Sequence, residues 1–253
     1  MNSTTVWAVQ CQNLEDKDFL DQLKARLVRS ETQRVLRFRK SSDAVRFALG
    51  RALLRSLIIS KGANKQFSQK AAWQDIVIEE DISGGKPYLS NNAKAHLGHV
   101  ADFNISHDGE WVVAGVTPNE PVGVDVAHVY CPENMSDVEY ISEFNLQLSS
   151  EEKEYLYKHS QQKLADFYRI WTAKEAYTKA LGTGVASIDL ASISVHLPPI
   201  NGCLYVSANW QVTHLLQVAT GTLDEGRYVY AVAKHPSLPL EFRIANIGDI
   251  TLD

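Results

Sequence analysis

The chain has 253 residues, 45% hydrophobic and 22% charged, a composition that can bury a globular core without covalent staples. Its net charge of −5 excludes a generally basic, nucleic-acid-binding surface. Three scattered cysteines (Cys11, Cys131, Cys203) exclude a disulfide framework, and the longest apolar stretch, Leu53–Ile59, is broken by Arg55 and too short to span a bilayer.

Val6–Cys11 alternates and reads as a strand. Asp16–Arg39 reads as a helical region with Leu20, Leu23 and Leu27 on one side and an arginine-rich end. Ser41-Ser-Asp43 can cap the next helix, Ala44–Ser60, which carries Leu49, Leu53 and Leu57 as a stripe and stops at Gly62. Ile76–Ile78 reads as a short strand, and Ser83-Gly-Gly-Lys86-Pro87 as a turn before an extended Tyr88-Leu89. Phe103–His107 and Trp111–Val116 read as a hairpin turning at Asp108-Gly109.

The two prolines of Thr117-Pro-Asn-Glu-Pro121 mark a boundary, so two α+β halves are expected, 1–118 and 119–253. The second opens with strand Val122–Val126. Helices are expected over Ser136–Phe144, Ser149–Ser160 and Leu164–Leu181, the last stopped by Gly182. Strands follow near Ile193–His196, Cys203–Val206, His214–Ala219 and Tyr228–Ala233. Each half sets a long helix before its strands and carries a late aromatic–valine strand, Trp111-Val-Val-Ala114 and Tyr228-Val-Tyr-Ala231. This rhythm points to a duplicated unit with a site at the seam.

Two segments carry chemistry. In Trp171-Thr-Ala-Lys174-Glu175-Ala-Tyr-Thr-Lys179-Ala-Leu-Gly182-Thr-Gly184, residues 171, 175 and 179 share a helix face. An isolated Glu-x-x-x-Lys is usually a solvated surface pair, but the large aromatic on this stripe argues for partial burial. In Gly123-Val-Asp125-Val, the aspartate points opposite to its β-branched neighbours. It is either a strand-end carboxylate facing water or one that awaits a hard cation. Asn104, Ser106 and His107 offer short donors beside a turn. Gly84-Gly-Lys86 is no P-loop, because Pro87 stands where that motif needs Ser or Thr.

These pieces, in this order, resemble the Sfp-type 4′-phosphopantetheinyl transferases, whose pattern runs Gly-(Ile/Val)-Asp-(Ile/Val), then Trp-x-x-Lys-Glu-x-x-x-Lys-x-x-Gly. Asp43-Ala-x-Arg46 with Gly50, Gly85-Lys86-Pro87 and Phe103-Asn-Ile-Ser-His107 match further upstream, so the resemblance covers nearly the whole chain. It implies two similar, pseudo-symmetric α+β halves with coenzyme A in the cleft between them. It further implies transfer of the phosphopantetheine arm to a serine of a carrier protein, with release of adenosine 3′,5′-bisphosphate. By motif position, Asp125 and Glu175 would hold Mg²⁺ (or Mn²⁺), and Glu175 and Lys179 would serve catalysis. Arg34, Lys86, Ser106 and His107 would bind the coenzyme's phosphates, with Asn104 shaping that strand end.

Many bacterial members carry a glutamate two residues past the motif aspartate. Ala127 stands there, as in the animal and fungal branch, and Asp108 or a water is expected to take its place. Expected partners are acyl or peptidyl carrier domains, with aminoadipate reductase and fatty acid synthase as candidates, and no nucleic acid or membrane. A monomer is expected, since one chain carries the whole motif set, and a cytoplasmic location, since nothing at the amino end reads as a signal peptide. Two competing readings are a non-catalytic carrier-binding or coenzyme-A-sensing module of the same fold, and an unrelated Mg²⁺-dependent phosphotransferase using nucleotides.

Overall fold

The computed structural model describes residues 2–12, 15–62, 73, 75–80, 85–91, 93, 100–183, 188–209 and 216–250. Ser83 and Gly84 of the expected turn, Gly184 of the helix motif, and His214 of an expected strand lie outside the described residues. The chain divides into two compact units. One runs through Glu120 and takes up the chain again from Pro239; the other is Pro121–Leu238.

In the first unit, β1 (Thr4–Gln10), β4 (Asp102–Asp108), β5 (Trp111–Thr117) and β11 (Leu240–Ala245) form a sheet in the order β11-β1-β5-β4. Helix α3 (Ser41–Gly62) packs on it, and Leu49, Leu53 and Leu57 are fully buried there. Each such leucine contributes about 1.5–3 kcal/mol of transfer free energy. A separate pair, β2 (Ile78–Glu79) and β3 (Tyr88–Leu89), stands two residues past the strand expected at Ile76–Ile78.

The helical region expected over Asp16–Arg39 divides into two helices, α1 (Lys17–Lys24) and α2 (Arg29–Val35). The chain breaks because the Trp73 indole donates to Arg26 O at 2.7 Å and the Glu31 carboxylate accepts the Val28 amide at 3.3 Å, which starts a new helix. The carboxyl-terminal segment, expected with residues 119–253, joins the first unit instead, as β11 parallel to β1. β1 is buried on both faces, so its edge away from β5 needs a partner strand to satisfy its backbone. The β4–β5 hairpin turns one residue later than expected. Asp108 pairs with Trp111 across Gly109-Glu110, with Gly109 at φ +50°.

The second unit holds a five-stranded sheet in the order β6-β10-β9-β8-β7: β6 (Gly123–His128), β7 (Ile193–Ile200), β8 (Cys203–Ala208), β9 (Gln217–Leu223) and β10 (Tyr228–Lys234). Helices α4 (Asp137–Ser142), α5 (Ser150–Glu154, continued by a π-helical turn over Tyr155–His159) and α6 (Lys163–Leu181) follow β6. Ser149 and Glu152 cap α5 reciprocally, and α6 ends at Gly182 in the left-handed conformation, φ +74°. Ile170, Ala173, Ala176 and Tyr177 of α6 pack on Val229, Ala231 and Ala233 of β10. Among the described residues, no helix is long and apolar enough to cross a membrane.

Candidate functional site

The site in the second unit begins with a glycine. A Cβ on Gly123 would lie 1.9 Å from the carbonyl oxygen of Ala176 and 2.5 Å from the amide of Ala180. Strand β6 therefore lies directly against α6, closer than any side chain allows. Two residues on, and on the same face, Asp125 reaches the next groove of the helix. Lys179 Nζ donates to Asp125 Oδ1 at 2.5 Å and stands 3.8 Å from Glu175 Oε2. The Gly-x-Asp spacing is thus a packing requirement: the glycine brings the backbones together, and strand periodicity aims the acid at the helix.

Asp125 is buried and Glu175 half-buried. Burial pushes the Glu175 carboxyl above its ordinary range. Lys179 opposes that shift, and the Asp125 charge adds to it. The two acids that flank this ammonium present a donor set of hard oxygens, suited to a divalent cation. Ala127, next on the same face of β6, packs in the apolar core and offers no oxygen. Among the described residues, no group of three or more His, Cys, Asp or Glu is arranged to hold a metal. A cation here would have two protein carboxylates, the number Mg²⁺ takes when phosphates and waters complete its shell.

Lys174, beside Glu175 in sequence, does something else. It is 1% exposed, and its ammonium donates to Glu152 Oε2 at 2.6 Å, Gln147 O at 2.8 Å and Leu190 O at 2.9 Å. Glu152 in turn accepts the amides of Ser149 and Val195, each at 2.8 Å. Burial lowers the lysine's pKa and raises the glutamate's, and their mutual attraction opposes both shifts. This network bolts α6 to α5 and to the start of β7. The sequence reading quoted Lys174 in its motif without giving it this role, because a partner 22 residues away leaves no periodic trace.

In the first unit, α3 and β4 wall a pocket of about 180 Å³ that brings together Arg34, Asn104 and His107, three of the expected coenzyme-binding residues. Lys86 and Ser106 are not in its wall. Lys86 pairs with Asp102 at the start of β4, and burial lowers its pKa. Ser106 is buried on the face of β4 opposite Phe103, Ile105 and His107; Asn104 shares that face but still reaches the pocket wall. Asp108 Oδ1 accepts the Gly109 amide at 2.8 Å, closing the hairpin turn.

Three residues of this pocket escaped the sequence reading: Phe47, Arg51 and Glu80. A signal was there for two of them. Asp43, Arg46, Phe47, Gly50 and Arg51 recur at i, i+3, i+4, i+7 and i+8, one face of α3. Arg46 donates to Gly109 O at 2.8 Å and to Asp43 at 2.6 Å, tying that face to the β4–β5 turn. Glu80 arrives from a distant segment and had no local signal.

Two family descriptions match the chain in tandem: "4'-phosphopantetheinyl transferase, N-terminal" over residues 15–119, and "4'-phosphopantetheinyl transferase superfamily" over residues 121–233. An L-aminoadipate-semialdehyde dehydrogenase-phosphopantetheinyl transferase of Xenopus laevis is 29% identical over 77% of this chain and 62% of its own length. The Homo sapiens protein of the same name is 28% identical over 68% of this chain and 53% of its own. The 4'-phosphopantetheinyl transferase ffp of Bacillus subtilis is 30% identical over 70% of this chain and 69% of its own length. The chain belongs to the 4′-phosphopantetheinyl transferase superfamily. It spans less than two thirds of the frog relative's length and about half of the human one's.

Proposed function

We propose that this chain transfers the 4′-phosphopantetheine group of coenzyme A to a serine of an apo acyl or peptidyl carrier domain. The observation that carries the reading is the Asp125–Lys179–Glu175 cluster, seated where β6 and α6 touch, in a chain of this family. The carrier serine oxygen bonds to the coenzyme's β-phosphorus as the bond to the α-phosphate's bridging oxygen breaks, and adenosine 3′,5′-bisphosphate leaves. Such a transfer asks the protein mainly for positioning and charge neutralisation.

Glu175 accepts the serine proton directly or through a water; since a carboxylate that holds a cation is a poor base, the water relay is the favoured route. Lys179 neutralises charge on the departing phosphate. Asp125 and Glu175 would hold Mg²⁺, which when bound supplies charge neutralisation on the pyrophosphate. Asp108 or a water would stand in for the oxygen that Ala127 lacks; an unchanged Mg²⁺ requirement in Asp108→Ala would remove that residue from the shell. Arg34, Asn104 and His107, with Lys86 and Ser106 nearby in sequence, would receive the coenzyme's phosphates.

Carriers of the aminoadipate reductase and fatty acid synthase kinds are the candidate acceptors, and a cytoplasmic monomer is the working form. The test is to mix the protein with coenzyme A, Mg²⁺ and a panel of apo carrier domains and read intact mass. A phosphopantetheine mass gain on at least one carrier is expected. No gain on any carrier, with coenzyme A still bound, would favour a sensing or docking module instead.

A further inference from the structure

We propose that Glu80 is an internal anion, a carboxylate seated between Arg34 and Arg51 that an incoming phosphate has to displace. The inference rests on the coenzyme-binding reading for the ligand's identity but not for the site's preference for anions.

Glu80 lies in the wall of the 180 Å³ pocket with Arg34, Arg46, Arg51 and His107. One carboxylate oxygen accepts from Arg34 and the other from Arg51. A carboxylate that spans two guanidinium groups presents the same two-oxygen edge as a phosphate. The guanidinium groups are held for that purpose: Arg34 and Arg51 lie over the Phe47 ring, their Cζ atoms 4.9 and 5.1 Å from its centroid. Gly50 sits on the same wall and leaves the floor low, since a Cβ there would already meet Ile105 Cγ2 at 3.0 Å.

Arg34, Arg51 and Arg55 share two carboxylates, Glu31 and Glu80, so the charges do not balance without a further anion. Arg51 is 93% buried as a side chain, with Glu31 Oε1 3.7 Å from its Nε, yet its Nη1 has no hydrogen-bond partner among the described residues. Glu31 is itself shared with Arg55, at 3.0 Å. Arg46 adds a third guanidinium to the wall, and Asp43 accepts from it at 2.6 Å. Glu80 therefore supplies one exposed, replaceable negative charge to Arg34 and Arg51. A phosphate dianion offers more charge and more acceptors than a carboxylate, so it can take both arginines, whereas singly charged anions compete with Glu80 on near-equal terms. Glu80 thereby sets a threshold that favours multiply charged phosphates.

The test is calorimetric titration of wild type, Glu80→Gln and Glu80→Ala with coenzyme A and, separately, with inorganic pyrophosphate, after thermal melts establish that the variants fold. Removing the competitor is expected to tighten both ligands by about threefold or more at low salt, with the gain shrinking as salt rises. Arg51→Met should weaken both. Equal or weaker binding of both anions by both Glu80 variants would make Glu80 a bracket for the arginines and overturn the proposal. Tighter pyrophosphate with no coenzyme A binding in any form would leave Glu80's role standing and overturn the coenzyme reading.

Discussion

The two units run through the same path. Each has a strand, a long helix, and an antiparallel pair whose second strand returns beside the first: β1–α3–β4–β5 in one, β6–α6–β9–β10 in the other. Aligning the late strands on Trp111 and Tyr228 puts Ala114 with Ala231 and, across the ladder, Trp7 with Asp125 and Val9 with Ala127. Helix-facing positions of the sheets therefore correspond, yet one unit fills the central one with an indole and the other with a carboxylate. Trp7 is a core residue with Arg243 Cζ over its ring, 5.2 Å from the centroid. Asp125 is a buried charge answered by Lys179. At this position the scaffold thus serves as packing in the first unit and as a charged site in the second, and the difference is made by single residues on a shared backbone.

The largest effect should come from removing that difference. Asp125→Ala restores an apolar residue at the position and is expected to lower transfer to a carrier by on the order of a hundredfold or more while the protein stays folded. Glu175→Gln should do likewise. Steady-state rates with an apo carrier and far-ultraviolet circular dichroism on the same samples check both halves of the statement. Near-normal rates in either variant would mean that the buried acids of the second unit do not carry the chemistry.

Next is the buried pair behind the site. Lys174→Met leaves Glu152 buried without its cation, and is expected to cost about 3–5 kcal/mol of stability. The double variant with Glu152→Gln should recover a large part of that loss. Urea denaturation of the two single variants and the double one gives the coupling directly. The first unit has a counterpart in Arg55 and Glu31, 3.0 Å apart and buried. If Lys174→Met proved neutral, the pair would be incidental to holding α6.

How much of this the sequence could disclose follows from where each partner lies. The Glu175–Lys179 pair, the Gly182 stop and the Leu49–Leu53–Leu57 stripe are local, fixed by the 3.6-residue repeat, and readable as such. Asp125 was readable as a carboxylate pointing away from its valines. What stayed hidden is long-range: Glu152 answering Lys174, Glu80 answering Arg34 and Arg51, and β11 returning to β1 across more than two hundred residues. The alternation in Leu240-Glu-Phe-Arg-Ile-Ala245 marks a strand, but nothing in it names which edge it will cover. Periodicity reports which face a residue occupies. It does not report what meets that face.

The glycines sharpen the comparison at a smaller scale. Gly123→Ala drives a methyl group into the backbone of α6, so β6 must move. A loss of about 1–3 kcal/mol is expected, with activity falling further than stability alone explains, because Asp125 moves with the strand. Gly50→Ala in the first unit meets only the Ile105 side chain at 3.0 Å, which can yield. The helix gains about 1 kcal/mol of intrinsic propensity, so the net change should stay within about 1 kcal/mol. Thermal or urea unfolding of both variants tests the contrast. Equal costs would mean that the strand and helix of the second unit are not in the tighter contact.

The smallest expected effect is the pH dependence carried by Glu175 of the second unit. Burial raises the folded-state pKa of Glu175 above its unfolded value, so the folded protein holds that proton more tightly than the unfolded chain. The resulting stability is full below the ordinary carboxylate range and is lost as pH rises through the folded pKa. In the ligand-free protein at neutral pH, Glu175 is thus a net burden, and Glu175→Gln should melt slightly higher than wild type. The gap should close as pH falls below the ordinary carboxylate range, where wild type carries the proton too. Trp7, at the equivalent place in the first unit, does not titrate, so Trp7→Phe should shift the melting temperature by the same amount at every pH. A Glu175→Gln melting difference that stayed constant from acid to neutral pH would mean the carboxyl is hydrated well enough to ionise at no cost. Glu175 would then have no raised proton affinity with which to take the serine proton.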